Sequence, residues 1–107
     1  MGVQQISNAA EFKSQVLGAG AGKLVMVDFY ATWCGPCKMI APKVEAMSEE
    51  FPDVAFFKVD VDQVSEVSEE QGVSAMPTFF FFKDGKKVGE VVGASEDKIR
   101  DAIVKNK

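Results

Sequence analysis

The chain contains several short runs of apolar residues that do not alternate with polar ones. These runs are residues 24 to 30 (LVMVDFY), 54 to 60 (VAFFKVD) and 78 to 82 (TFFFF). Such runs are typical of strands covered on both faces, and four consecutive phenylalanines are stable only if both faces of their strand are buried. The pattern therefore predicts three central strands, the first of which carries one charged residue, Asp28.

Apolar residues with helical spacing lie between and after these runs. The predicted helices cover residues 8 to 17, 34 to 51, 64 to 72 and the stretch that follows Ser95. Asn8 with Glu11 three residues later resembles a capping box, and Ser95 is a favourable N-cap. Gly72 is placed to end the third helix. Each of the three strands is therefore preceded by a helix.

Two further strands complete the predicted order. Residues 3 to 6 (VQQI) predict a first strand and residues 87 to 92 (KVGEVV) a last one, which the hairpin sequence KDGK joins to the phenylalanine run. The order βαβαβαββα predicts a single α/β domain over residues 1–107, with a mainly parallel sheet and one antiparallel edge. In such sheets chemistry gathers in the turns that lead from strands to helices.

Composition and charge exclude several classes of function. The chain has 107 residues, a net charge of −4 and scattered basic residues, so we expect neither a nucleic acid nor an anionic membrane as partner. No apolar run approaches the ~18 residues of a membrane helix, and the N-terminus lacks a signal-like pattern. We therefore expect a cytoplasmic protein. Histidine is absent, which excludes Ser-His and Cys-His catalysis and any zinc site that needs imidazole.

The two cysteines, Cys34 and Cys37, lie in the predicted strand-to-helix turn. A helix N-terminus favours an ionised thiol, and a second cysteine three residues later falls on the same helix face. This spacing suits an exchange in which Cys34 attacks a substrate disulfide and Cys37 resolves the mixed disulfide. Gly35 permits close backbone approach, and Pro36 suits the first helical turn.

Other interpretations of the cysteine pair remain open. Both residues could be structural, or two CxxC pairs from two chains could hold zinc or an iron-sulfur cluster, although the lone chain offers too few ligands for a metal. The chain could also be a binding module that uses Trp33, Met76 and Pro77 to hold a partner in a redox-dependent way. A double Cys→Ser variant that kept its partner would favour this last alternative.

The segments VDFYATWCGPCK, MPT and VGA resemble the thioredoxin family, in the right order and over nearly the whole chain. The resemblance implies the thioredoxin fold, a central mixed five-stranded sheet flanked by four helices. It also implies a protein-disulfide reductase without a tightly bound cofactor, which receives electrons from NADPH through thioredoxin reductase and acts on disulfide-containing target proteins. KVDVD and DGKKVGE are more similar to eukaryotic cytosolic members. We expect a monomer.

The resemblance also implies roles for individual residues. Cys34 is expected to be the exposed nucleophile and Cys37 the buried resolving thiol, beside a cis peptide bond at Pro77. Gly35 and Pro36 are expected to shape the contact surface. Residues expected to contact the substrate are Trp33, Ala75, Met76, Gly93 and Ala94.

Asp28 matches the buried carboxylate of the family. Burial in a covered strand should raise its pKa toward the range useful for proton transfer, so we expect it to accept the proton of Cys37. Lys58, whose family counterpart lies near that carboxylate, should modulate it by charge. The alternative is that Asp28 ends its strand and faces water. Tyr30 departs from the family because many members have Trp there, and Ser74 lies where some animal members carry an extra cysteine.

Overall fold

Strands and helices follow one another in the order predicted from the sequence. The computed structural model describes residues 2–107. The strands are β1 (Gln4–Ile6), β2 (Leu24–Tyr30), β3 (Ala55–Asp60), β4 (Thr78–Lys83) and β5 (Lys86–Val92). The helices are α1 (Ala9–Glu11, which continues as a π-helical segment over Phe12–Leu17), α2 (Gly35–Glu50), α3 (Ser65–Glu70) and α4 (Glu96–Asn106). The predicted order βαβαβαββα is confirmed.

The five strands form one mixed sheet in the order β1-β3-β2-β4-β5. β3 runs parallel to both β1 and β2, whereas β4 is antiparallel to β2 and to β5. The predicted antiparallel edge is confirmed in the pairing of β4 with β5, but the expectation that the other pairings are parallel is wrong for β4 with β2. The mixed sheet implied by the family resemblance is confirmed. Alternation of strands and helices does not specify which end of β4 enters the sheet, and the phenylalanine run is buried in either direction.

The sheet separates two hydrophobic clusters. Phe79 and Phe81 of β4 pack with α2 and α4 on one face, and Phe80 and Phe82 pack with α1 and α3 on the other. Successive side chains of a strand point to opposite faces, so the run of four supplies both clusters. The ring of Phe80 lies 5.2 Å from that of Phe29 in an edge-to-face arrangement. The prediction that this run is buried on both faces is confirmed.

Local polar contacts begin the first helix. The Asn8 side chain accepts the backbone N–H of Glu11 at 2.8 Å, and the Glu11 carboxylate accepts the N–H of Ser7 at 2.7 Å. The capping box predicts such a reciprocal pair of contacts. The second contact differs by one residue, because Glu11 accepts the N–H of Ser7 and not that of the N-cap residue Asn8. Within residues 2–107, none of the helices has the length and apolar character needed to span a membrane.

The turn between β4 and β5 confirms the hairpin predicted from KDGK. Asp84 and Gly85 adopt φ values of 55° and 76°, the left-handed pair that a tight two-residue hairpin requires. The Asp84 carboxylate also accepts the N–H of Gly22 at 2.8 Å. The glycine-rich segment before β2 is thereby tied to the hairpin.

Removal of the Phe81 ring from the core should lower the stability of the fold. Phe81 is completely buried between the sheet and the helices α2 and α4. We expect Phe81→Ala to lower the free energy of unfolding by about 3–5 kcal/mol, because it removes apolar contacts and leaves a cavity. Val104→Ala, at an exposed position of α4, is the control and should change it by less than about 1 kcal/mol. Urea unfolding measures both, and equal small effects would contradict this assignment of the core.

Candidate active site

The two cysteines form a disulfide at the turn from β2 to α2. Cys34 is the N-cap of α2, and Cys37 lies in its first turn with a Cα–Cα separation of 5.3 Å. The Cys34 sulfur accepts the backbone N–H of Cys37 at 3.2 Å. Pro36 occupies the first turn as predicted, where its missing N–H removes no helical hydrogen bond. A sulfur at this position receives both a hydrogen bond and the positive end of the helix dipole.

The expectation that Cys34 is exposed is wrong for this disulfide form. Cys34 is 6% exposed and Cys37 is 5% exposed, so their accessibility hardly differs. The Cys34 sulfur is turned toward the helix N-terminus, and the carbonyl oxygen of Met76 lies 3.7 Å away. The two sulfurs and Ala31 form a small buried cluster, against which Met76 also packs.

The peptide bond between Met76 and Pro77 is cis, as the family resemblance implied. This bond precedes β4, so the Met76 backbone lies outside the sheet ladder. The Pro77 carbonyl accepts the N–H of Gly93 at 2.8 Å, and Gly93 has a φ of 103°, a conformation that a larger residue rarely adopts. The loop before β4 and the loop after β5 are thus joined next to the disulfide.

The five residues expected to contact substrate differ in exposure. Trp33, Ala75 and Ala94 are exposed, whereas Met76 and Gly93 are partly buried. Trp33 is 67% exposed, which is unusual for a large aromatic side chain. Of these residues, Met76 packs against the cysteine pair, and Trp33 precedes Cys34 directly in the chain.

Asp62 orients the indole of Trp33, a contact that sequence reasoning missed. The Trp33 Nε1–H donates to Asp62 Oδ2 at 2.9 Å. Asp62 is held in turn because its N–H donates to the buried carboxylate of Asp60 at 2.9 Å. The partners lie 29 positions apart in the chain, and no local motif connects them.

Asp28 is buried in the middle of the sheet. It is 6% exposed, which excludes the alternative that it faces water. Its neighbours in register are Lys58 of β3 and Phe79 of β4, and its Oδ1 has no hydrogen-bond partner within residues 2–107. Burial raises the pKa of Asp28 to about 7, and the positive charge of Lys58 opposes that rise. Asp28 therefore changes its charge near neutral pH.

A cavity of about 250 Å³ is lined by both Asp28 and Cys37. Its wall includes Asp28, Tyr30, Thr32, Cys37, Lys38 and Lys58. Thr32 and Lys38 were not predicted as site residues, although both lie within the segment VDFYATWCGPCK. A carboxyl group, a cysteine and two lysines thus line one space. Within residues 2–107, no group of three or more acidic or cysteine side chains is arranged to hold a metal ion.

A redox disulfide at a helix N-terminus, beside a cis proline and above a buried carboxylate, defines a site for thiol-disulfide exchange. The thioredoxin family model matches residues 3–105. Thioredoxin-1 of Schizosaccharomyces pombe is 54% identical over 104 residues, which cover 97% of this chain and 98% of that protein. The thioredoxin of Oryctolagus cuniculus is 50% identical over 101 residues, which cover 94% and 95%.

Solved structures agree with these sequence relationships. The X-ray structure of Fasciola hepatica thioredoxin superposes with a TM-score of 0.94 at 48% identity, and the match covers 98% of this chain and 100% of that one. The chain therefore belongs to the thioredoxin family and is similar to its eukaryotic members. It is a dithiol-disulfide oxidoreductase of the kind that needs no tightly bound cofactor.

The raised pKa of Asp28 predicts a pH-dependent stability. The unfolded carboxyl group has the ordinary value of 3.8 and the folded one about 7, so the folded protein binds this proton more tightly. The stabilisation is complete below about pH 4 and is lost as the pH rises to about 7. Asp28→Asn has no such carboxyl group, so its free energy of unfolding should not fall in this way. The difference in free energy of unfolding between Asp28→Asn and the parent should grow from near zero at pH 4 to on the order of 4 kcal/mol at pH 8.

Urea unfolding of the oxidised protein at several pH values measures this difference. Asp97→Asn, at an exposed position of α4, is the matched control for the change from Asp to Asn. If Asp28→Asn and the parent differ in free energy of unfolding by the same amount at pH 4 and pH 8, the raised pKa of Asp28 is contradicted.

Proposed function

We propose that this chain reduces disulfides in target proteins with Cys34 as the nucleophile and Cys37 as the resolving thiol. The observation that carries this assignment is the position of the Cys34 sulfur at the N-cap of α2, where it accepts the N–H of Cys37 at 3.2 Å. The same contact and the helix dipole stabilise a thiolate at Cys34. Cys37 lies further inside the helix and lines the cavity that contains Asp28.

In the first step, the Cys34 thiolate of the reduced chain attacks one sulfur of the target disulfide. The bond between Cys34 and that sulfur forms, the bond within the target breaks, and its electron pair leaves with the second target sulfur as a thiolate. The product is a mixed disulfide between Cys34 and the target.

In the second step, Cys37 loses its proton to the carboxylate of Asp28 and attacks the Cys34 sulfur. The disulfide between Cys34 and Cys37 forms, and the electron pair of the mixed disulfide leaves with the target sulfur. The target has then gained two electrons and the chain has lost two. A pKa of about 7 suits this role, because Asp28 is partly ionised at neutral pH and holds a proton well.

The target approaches over the surface formed by Trp33, Ala75, Met76, Gly93 and Ala94. We infer that an extended segment of the target runs beside Met76, whose backbone lies outside the sheet ladder. Gly35 next to Cys34 has open space around its Cα, so a target backbone can approach closely there. The cis bond before Pro77 keeps the Met76 carbonyl beside the Cys34 sulfur.

The cycle closes when the oxidised chain is reduced again. We propose that a thioredoxin reductase supplies the electrons from NADPH and that disulfide-containing proteins of the cytoplasm are the targets. A compartment that keeps thiols reduced suits a dithiol donor, and a lone CxxC pair in a small domain is typical of such compartments. The two core clusters flank one sheet, which supports a single domain over residues 1–107. We propose that this domain works as a monomer.

Replacement of each cysteine by serine should separate the two steps. Reduction of insulin disulfides by dithiothreitol, followed by turbidity, measures turnover with catalytic amounts of protein. We expect Cys34→Ser to lose all acceleration, because no nucleophile remains. Cys37→Ser should also lose turnover but accumulate a mixed disulfide with insulin, visible on a non-reducing gel.

The converse result would reverse the assignment. Trapping by Cys34→Ser with none by Cys37→Ser would make Cys37 the nucleophile, and turnover by both variants would contradict dithiol exchange. Phe81→Leu serves as a control for small losses of stability, since Phe81 lies in the core and lines no part of the cavity.

Loss of the Asp28 carboxylate should slow the second step. In a single-turnover reaction of the reduced chain with a disulfide peptide, release of the second thiol should become faster as the pH rises through about 7, because Asp28 ionises there. Asp28→Asn should lower this rate by about 10- to 100-fold at pH 7 and should lose the dependence on that ionisation. Formation of the mixed disulfide should change much less. A variant that released thiol at the parental rate would contradict the role of Asp28.

A further inference from the structure

A hydrogen bond crosses the face of the sheet that carries Lys58. The Tyr30 hydroxyl donates to the Gln5 side-chain oxygen at 3.1 Å. Tyr30 ends β2 and Gln5 lies in β1, and β3 lies between these two strands. In register, Lys58 of β3 has Gln5 on one side and Asp28 on the other. The bond between Tyr30 and Gln5 therefore spans the strand from which Lys58 projects.

Lys58 also contacts the ring of Tyr30. Its Nζ lies 5.8 Å from the ring centroid, within the range of a cation–π contact. Both side chains line the cavity that contains Asp28. No salt bridge within residues 2–107 involves Lys58, so the ring supplies a contact that would otherwise be missing for its ammonium group. A lysine without such a contact spreads over many rotamers in solvent.

We propose that Tyr30 is a positioning residue, whose ring, anchored through its hydroxyl to Gln5, holds the Lys58 ammonium on the sheet face beside Asp28. The proposal rests on the proposed function, because the position of Lys58 matters to the reaction only if Asp28 accepts the proton. A positive charge held there favours the ionised carboxylate and partly offsets the effect of burial. Tyr30 thereby acts on the proton acceptor without contact with substrate.

Few other charged or titratable groups lie close enough to Asp28 to influence its ionisation. The charged or titratable side chains that share its cavity are Lys58 of β3, Tyr30 of β2, and Cys37 and Lys38 of α2. β4 places Phe79 beside it, and α4 packs on this face through Ile99 and Ile103, all of which are apolar. In the oxidised chain Cys37 is held in the disulfide and does not titrate.

Titration of Asp28 in the oxidised chain tests the proposal, with the carboxyl carbon observed by NMR. We expect Tyr30→Leu to raise the pKa of Asp28 by up to about half a pH unit, because loss of a cation–π contact releases Lys58 from its position beside the carboxylate. The same substitution in a Lys58→Met background should leave the pKa unchanged. Entry of water into the space left by the ring would lower the pKa instead, so the sign separates the two effects.

Two milder variants keep the test decisive if Tyr30→Leu does not fold. Tyr30→Phe keeps the ring and loses the bond to Gln5, and Gln5→Ala removes the partner of the hydroxyl. Both should raise the pKa of Asp28 by less than Tyr30→Leu does, and again only when Lys58 is present. A lowered pKa, no change with any of the three variants, or equal changes in both backgrounds would overturn the positioning role.

The test distinguishes failure of this inference from failure of the proposed function. If Asp28 of the parent titrates near 3.8 rather than near 7, its role as proton acceptor fails and the positioning role fails with it. If the parent titrates near 7 but the Tyr30 variants do not depend on Lys58, only the positioning role is overturned.

Discussion

A carboxyl group that the fold keeps out of water is the constraint on which the rest of this site depends. Asp28 lies in the central strand with no hydrogen-bond partner for one of its oxygens among the described residues. Burial disfavours the charged form of such a group, which raises the pKa of Asp28 to about 7. The protein thus carries a destabilising residue at neutral pH, a cost that is expected at a functional site and unusual in a structural core.

The remaining elements place the two cysteines and an exposed surface close to this carboxyl group. The turn after β2 places Cys34 at the N-terminus of α2, so that the sulfur has a hydrogen bond and a favourable dipole. One turn into the helix, Cys37 faces the cavity that contains Asp28. The cis bond before Pro77 and the exposed Trp33 form the surface above. In the proposed mechanism, the helix N-terminus stabilises the thiolate of Cys34, and the cavity beneath it brings Cys37 and the proton acceptor Asp28 together.

Much of this arrangement could be predicted from the sequence because local rules govern it. The run of four phenylalanines, the capping residues Asn8 and Ser95 and the Asp84 turn each specify structure within a few residues. The direction of β4 could not be predicted, because its burial is the same whichever end enters the sheet. The low exposure of Cys34 was missed, since it depends on contacts from other segments, among them Met76 of the loop before β4.

Contacts between distant segments were also beyond the sequence pattern. The bond from Trp33 to Asp62 joins residues 29 positions apart, and that from Tyr30 to Gln5 joins residues 25 positions apart. Each requires the strand order to be known, because the partners meet only when β3 lies beside β2 and β1 lies beside β3. Tyr30 stood out in the sequence as a departure from the family, but its partners became visible only in the folded sheet.

The proposed mechanism depends on proton transfer from Cys37 to Asp28, and infrared spectroscopy can observe that transfer directly. Reduced chain with isotopically labelled aspartate is mixed at pH 8 with a disulfide peptide, and the Asp28→Asn variant identifies the carboxyl band of Asp28. We expect the band of the protonated carboxyl group to appear at the rate at which the second peptide thiol is released, and to decay afterwards as the proton equilibrates with solvent. Thiol release without any transient protonation of Asp28 would contradict the account.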